Sequence, residues 1–183
     1  MDQKTRTQFD DLRSADGAAR YAALTAVLEA TDRRVDWAYA VWDELLEGLR
    51  DKNAHHRAIA AQVLCNLAKS DPENRLLKDF EAVLAVTRDE KFVTARHSLQ
   101  AIWKVGAAGK QQQKLVVDRL ADRFSDCAAE KNCTLIRYDI VAGLRNLYDT
   151  VKDDAVRARA LALIETEPDA KYRKKYAAVW KRG

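Results

Sequence analysis

The chain has 183 residues, 48% of them apolar and 33% charged, which is typical of a folded protein and excludes a disordered one. Six glycines and two prolines are few for a turn-rich β architecture, so helices joined by short loops are favoured. Residues 1–90 carry 13 Lys and Arg against 17 Asp and Glu, whereas residues 91–183 carry 19 against 11. This asymmetry suggests an acidic partner for the C-terminal half, although natural surfaces are often lopsided.

Apolar residues recur at helical spacing along nearly the whole chain, and each segment has one apolar stripe and one charged face. The pattern predicts ten helices, at residues 2–14, 17–30, 34–49, 52–69, 72–87, 91–106, 110–126, 132–149, 153–165 and 168–181. Asp71 is placed to cap the fifth helix with Pro72 at its first position, and Pro168 repeats the device in the last helix. Gly106 and Gly109 bracket a predicted break.

The even-numbered predicted helices share an arginine followed by apolar residues three and seven positions later. These arginines are Arg20, Arg57, Arg96, Arg137 and Arg173, spaced 37, 39, 41 and 36 residues apart. Two helices in a repeat of about 40 residues are the signature of a helical solenoid. Arg157, only 20 residues after Arg137, fits the motif as well, so either Arg157 or Arg173 leads the last repeat.

An Asp in the turn before the arginine completes the pattern, as in the segments 51–60 and 89–96. Five such segments in register resemble the HEAT-repeat (armadillo-like α-solenoid) family across essentially the whole chain. The resemblance implies an all-α fold, a right-handed α/α superhelix of about five stacked helix hairpins. It also implies a single domain over residues 1–183, with repeats at about 2–30, 34–69, 72–106, 110–149 and 153–181. The recurring arginines are then structural, because each can pair with a turn carboxylate of its own repeat or a neighbouring one.

The sequence contains no recognisable catalytic or cofactor motif. Neither a nucleotide-binding glycine pattern nor a nucleophile elbow occurs. His55 and His56 are adjacent and cannot share a helix face, while Cys127 and Cys133 are separated by a spacing that zinc sites do not use. Cys65 is predicted to pack as a small apolar residue. We therefore expect no enzyme activity, no metal and no cofactor.

The resemblance suggests one enzymatic alternative, a DNA glycosylase. A HEAT-like family of these enzymes uses a basic concave surface, tryptophans and a single Asp. In that family a Trp precedes the catalytic Asp by one helical turn. Here Trp37, Trp42 and Trp103 are each followed four residues later by an apolar residue, so the motif is absent. Asp139 lies beside an apolar stripe in the basic half and is predicted to be a solvated or paired surface carboxylate.

The resemblance also indicates which residues would face a partner, because the second helix of each HEAT hairpin lines the concave side. Positions one and eight after each arginine lie near one face of that helix. The candidate partner-binding residues in these two rows are His97, Lys104, Tyr138, Arg145, Lys174 and Lys181. Since packed helices lie about 8–10 Å apart, the three cations at position eight would form a ladder along the groove.

The last predicted helix adds cations interleaved with aromatic residues: Lys171, Tyr172, Arg173, Lys175, Tyr176, Trp180 and, just beyond it, Arg182. This combination suits phosphate backbones and stacked bases. A polar capping face on the last repeat, with Tyr176 and Trp180 packed inward, is the favoured alternative.

The sequence-based hypothesis is a non-enzymatic scaffold that binds an acidic or extended protein segment through its concave face. The alternative is a nucleic-acid-binding module, possibly a divergent relative of the HEAT-like glycosylases, that uses the basic C-terminal half. The N-terminus starts no apolar run and no segment is long and apolar enough to cross a membrane, so no membrane partner is expected. Three cysteines in a Cys-poor chain favour a cytoplasmic protein with reduced thiols.

Overall fold

A computed structural model describes residues 1–181 of the chain. These residues form α-helices and short 3₁₀ turns without any strand, so the all-α prediction is confirmed. The chain divides into two compact units, of which the first is Met1–Ala101 and the second begins at Ile102. Within the described residues, no helix combines the length and the apolar character needed to span a bilayer.

The first unit is built from α1 (Gln3–Asp11), α2 (Gly17–Thr31), α3 (Trp42–Gly48), α4 (Ala54–Leu67), α5 (Arg75–Ala85) and α6 (Phe92–Ala101). Helix α4 is its centre, because α2, α3 and α6 all pack against it, and α1 packs against α2. Val27, Trp42, Leu64 and Phe80 are almost fully buried in the core of this unit. The apolar stripes read from the sequence therefore supply the interior.

The second unit is built from α7 (Trp103–Gly106), α8 (Lys110–Asp126), α9 (Cys133–Val151), α10 (Asp154–Glu165) and α11 (Ala170–Trp180). Here α9 is central, because α7, α8, α10 and α11 all contact it. Leu120, Phe124, Ile140 and Leu144 are fully buried between these helices. Each unit therefore has its own apolar core around one long arginine-led helix.

Two predicted helices are shorter than the periodicity suggested. The segment predicted as a helix from residue 34 becomes helical only at Ala38, where a 3₁₀ turn precedes α3. The Val35 amide instead donates 3.0 Å to the Ser70 hydroxyl, which holds this stretch as a loop. The predicted helix 91–106 is interrupted at Ile102, because the Val105 amide donates to the Ile102 carbonyl in a tighter, 3₁₀-type turn.

The predicted capping role of Asp71 and the predicted break between Gly106 and Gly109 are both confirmed, but two helices begin later than predicted. Asp71 caps α5 by accepting from the amides of residues 75 and 76, but the helix begins at Arg75 and not at Pro72. The delay arises because Asn74 adopts a left-handed conformation with φ of 55°. The last helix begins at Ala170 and is capped by Asp169, two residues later than predicted. The predicted break is confirmed, since α7 ends at Gly106 and α8 begins directly after Gly109.

Candidate interaction surface

The arginines that lead the second helices are tied to the turns before them. Each of three donates from its guanidinium to the backbone carbonyl six residues earlier: Arg20 to Ser14 at 2.7 Å, Arg57 to Asp51 at 2.8 Å and Arg173 to Glu167 at 3.1 Å. Arg157, by contrast, lies exposed on α10. Arg173 therefore repeats the contact of Arg20 and Arg57, whereas no such contact is seen for Arg157 among the described bonds.

Two of these arginines also reach the turn of the following hairpin. Arg57 donates from Nε and Nη2 to the two carboxylate oxygens of Asp89, at 2.6 and 2.9 Å. Arg137 donates 2.8 Å to a carboxylate oxygen of Glu167. The hydrogen bonds from Arg57 lower the pKa of Asp89, and Asp89 in turn raises the pKa of the guanidinium. Arg57 and Arg137 therefore pair with turn carboxylates, as the sequence predicted.

A groove runs along the first unit over α2, α4 and the middle of α6. Its volume is about 410 Å³, and its lining includes Tyr21, Leu24, Leu28, His55, Gln62 and His97. Tyr21 is 73% exposed, whereas Ala58, which occupies the equivalent position in α4, is only 5% exposed. The groove therefore has an apolar floor, and aromatic and imidazole side chains at its edge.

Of the predicted partner-binding residues, only His97 belongs to this groove, where its side chain is exposed. Tyr21 occupies the same position after its arginine as His97 does, so the register rule contained the signal for Tyr21 as well. His55 precedes Arg57 by two residues, so the register of positions one and eight does not contain it. Ligand sites in proteins commonly have volumes of about 300–1,000 Å³, and the groove falls within this range.

The second unit contains the other five predicted residues, and their charges are not equivalent. Arg145 donates 2.8 Å to Asp149 one turn later, and this bond raises the pKa of Arg145 and lowers that of Asp149. The guanidinium also lies 5.6 Å from the centre of the Trp180 ring. Lys104 is half-buried in α7, whereas Lys181 is exposed directly after α11. The three cations at position eight therefore differ: Arg145 is paired with a carboxylate, Lys104 is half-buried and Lys181 is exposed.

The aromatic residues of α11 pack mostly on one another and on α9. Tyr176 is fully buried, its hydroxyl donates 2.8 Å to the Thr134 carbonyl, and burial raises its pKa. Its ring lies 6.5 Å from that of half-buried Tyr138 and 6.3 Å from that of Tyr172. Because Tyr176 is interior, it cannot stack on a base, and the inward packing favoured for this residue is confirmed.

The lysines of α11 have exposed side chains. Lys174 is exposed, and Lys175, also exposed, places its ammonium 5.1 Å from the centre of the Tyr138 ring. Trp180 is half-buried against Tyr148, with ring centres 5.7 Å apart. Arg182 lies outside the described residues.

Two further sequence predictions can be checked in the interior. Cys65 is fully buried in α4, as expected for a cysteine that packs as a small apolar residue. Asp139, expected at the surface, is only 3% exposed, so that prediction was wrong. It lies on the face of α9 that carries buried Ile136, Ile140 and Gly143. The spacing of apolar residues could not predict this burial, because a charged residue on the buried face of a helix does not belong to the apolar pattern.

The sequence matches no known protein family and no curated protein. Among residues 1–181, no group of three or more His, Cys, Asp and Glu side chains is arranged to hold a metal ion.

Proposed function

We propose that this chain is a HEAT-like α-solenoid that serves as a non-enzymatic scaffold for a protein partner. Support comes from the packing within each unit, where arginine-led helices lie side by side: α2 on α4 and α4 on α6 in the first, α9 on α11 in the second. The repeated guanidinium-to-turn contacts add to this, since equivalent residues make equivalent bonds in three of the five predicted hairpins, the first, the second and the last. Nearest-neighbour stacking of this kind is the organising principle of solenoids.

The groove over α2, α4 and α6 is the surface that we propose for binding the protein partner. Leu24 and Leu28 offer apolar contact, and the exposed ring of Tyr21 stands beside them like the aromatic anchors found at interface centres. His55 and His97 provide hydrogen-bond donors and, when protonated, positive charge. An extended segment with an acidic residue beside an apolar one matches this combination of surfaces.

Selection from a random peptide library tests this proposal on the full chain. We expect the bound peptides to be enriched in Asp and Glu next to apolar residues. Tyr21→Ala should weaken binding by about 30-fold, equivalent to roughly 2 kcal/mol for an aromatic anchor. His97→Ala should weaken binding less, because an exposed imidazole contributes one polar contact.

Val93→Ala is the matched control, because Val93 is 68% exposed on α6 of the same unit but does not line the groove. Its affinity for the selected peptides should equal that of the unaltered protein. Peptides that bind Tyr21→Ala and His97→Ala as tightly as the unaltered chain would place the binding surface elsewhere and remove this proposal.

A second candidate function, nucleic-acid binding, is favoured by the exposed lysines around α11: Lys171, Lys174, Lys175 and Lys181. Lys174 and Lys181 are among the predicted partner-binding residues, as are Tyr138 and Arg145 on the neighbouring helix α9. Such binding would rest on phosphate contacts, because the buried ring of Tyr176 is unavailable for stacking.

Fluorescence anisotropy with a random-sequence duplex and a random single strand decides this second candidate. Binding should fall steeply with added salt, and the double variant Lys174→Glu with Lys181→Glu should reduce the salt slope by about two phosphate contacts. The matched control is Arg157→Glu with Arg159→Glu, which makes the same charge change on exposed residues of α10. Equal losses in both double variants would indicate a general charge effect and no defined binding face.

A further inference from the structure

The connection between α8 and α9 folds back on itself and brings two cysteines together. The Glu130 amide donates 2.8 Å to the Cys127 carbonyl, and the Cys133 amide donates 3.1 Å to the Glu130 carbonyl. These two consecutive turns bring the residue that follows α8 against the first residue of α9. The Sγ atoms of Cys127 and Cys133 consequently lie 2.6 Å apart, in direct contact.

Hydrogen bonds on both sides of the pair hold this approach in place. The Cys127 thiol donates to the Phe124 carbonyl at 3.3 Å, and Arg137 Nε donates to the same carbonyl at 3.0 Å. This shared acceptor ties the start of α9 to the end of α8. On the other side, the Tyr176 hydroxyl anchors the carbonyl of Thr134, the residue next to Cys133.

The middle of the connection is fixed as well. Arg123, itself only 1% exposed, donates from its two terminal nitrogens to the carboxylate oxygens of Glu130 at 2.6 and 2.8 Å. Since Glu130 is the residue at which the two turns meet, the bidentate pair stabilises the folded-back connection. Hydrogen bonds at both ends and in the middle of the connection therefore support the contact between the two sulfurs.

The two sulfurs have different environments. Cys127 is fully buried, and burial raises the pKa of its thiol to about 12. Cys133 is half-buried at the amino end of α9, so a small reagent in solution reaches it first. A shared zinc ion does not fit, because sulfurs that both bind zinc at about 2.3 Å in tetrahedral geometry lie well over 3 Å apart.

We propose that Cys127 and Cys133 form an oxidation-sensitive dithiol that hydrogen peroxide converts to an intramolecular disulfide. In the first step the Cys133 sulfur attacks one peroxide oxygen, the O–O bond breaks, and Cys133 becomes a sulfenic acid as one water leaves. In the second step the Cys127 sulfur attacks the Cys133 sulfur, the S–O bond breaks, and the second water leaves. The two thiols are oxidised by two electrons and the peroxide is reduced by two, so the hydrogens of both thiols end in water. A dithiol reductant reverses the reaction by exchange.

Hydrogen peroxide applied to the folded full-length chain tests the proposal, with intact-mass measurement and mapping of non-reduced peptides. The chain should lose two hydrogens, the 127 and 133 peptides should be joined, and dithiothreitol should restore the original mass. Cys65→Ala is the matched control, because it removes the third thiol and leaves the pair; it should form the same bond. Cys133→Ser, a near-isosteric change at a half-buried site, should gain no intramolecular bond.

Circular dichroism of each reduced variant, compared with the unaltered chain, shows that the thiols are presented by a folded protein. Accumulation of a sulfinic acid at Cys133 with no joined peptide would overturn the proposal. So would a disulfide that involves Cys65, because that sulfur is buried in the other unit. Because the test uses peroxide alone, its outcome is independent of whether the chain binds peptides or nucleic acid.

Discussion

Replacing Arg57 by Ala should lower the free energy of unfolding by about 3 kcal/mol. The change deletes two charged hydrogen bonds to Asp89 and two contacts with the carbonyls of residues 51 and 52. Breaking a fully buried pair costs roughly 3–5 kcal/mol, and the side chains here are 16% and 6% exposed, which places the cost at the lower end. Asp89 also keeps the Lys91 amide as a donor, so its carboxylate is not left wholly unpaired.

A double-mutant cycle isolates the pair. Arg57→Ala, Asp89→Ala and the combined variant are compared by urea titration of the full chain, followed by far-ultraviolet circular dichroism. The coupling free energy should be about 1–3 kcal/mol. Arg34→Ala, at an exposed position between α2 and α3, is the control and should change stability by less than about 0.5 kcal/mol. A coupling no larger than that control would refute the role of this pair in joining hairpins.

The pH dependence of the coupling has a defined sign. Hydrogen bonding to Arg57 holds the pKa of Asp89 below its ordinary value of 3.8, so the folded chain keeps the carboxylate charged where the unfolded chain takes up a proton. The stabilisation is complete above the unfolded pKa and is lost as the pH falls through the lowered folded pKa. The coupling should be constant between about pH 7 and pH 5 and should shrink in stronger acid. A coupling that grows on acidification would contradict this account.

Three further variants probe the cores and caps by the same urea titration. Gly106→Ala should cost about 1–3 kcal/mol, because its Cβ would lie 2.9 Å from a terminal carbon of buried Leu147; an unchanged midpoint would mean that this leucine yields freely. Tyr176→Phe should cost about 1 kcal/mol through loss of the bond to the Thr134 carbonyl, and a stabilised variant would contradict that bond. Asp71→Ala should cost about 1–2 kcal/mol because the first amides of α5 lose their acceptor, and no effect would show that the turn caps itself.

The sequence could predict most of the helices because apolar residues recur at the spacing of a helical turn. It could predict the role of Arg57 and Arg137 because the arginines recur at the length of the repeat. Arg57 and Arg137 pair across hairpins as expected, since an arginine near the start of one helix and a carboxylate in the next turn recur at the repeat length. Asn74 could not be predicted from periodicity, because a single left-handed residue shifts a helix start without changing the apolar pattern.

The candidate sites were harder to predict because they depend on which side chains meet. The register of positions one and eight contains both His97 and Leu28, but it does not contain Leu24, which lies beside them in the groove. It also treated Arg145 as a free cation, whereas Asp149 one turn later pairs with it. The spacing of Cys127 and Cys133 matches no zinc motif. The residues between the two cysteines do not indicate that two consecutive turns bring the sulfurs into contact.

The two kinds of bond made by the recurring arginines respond differently to solution conditions. Carbonyl acceptors, such as those of Ser14 and Asp51, carry no net charge and do not titrate, so the bonds inside each hairpin persist in acid or concentrated salt. The bond from Arg57 to the following hairpin depends on the carboxylate of Asp89, which is protonated only in strong acid because this bond lowers its pKa. In strong acid the bond between Arg57 and Asp89 should therefore be lost first, while the arginine contacts inside each hairpin remain, so the chain loses a link between hairpins before the links within them.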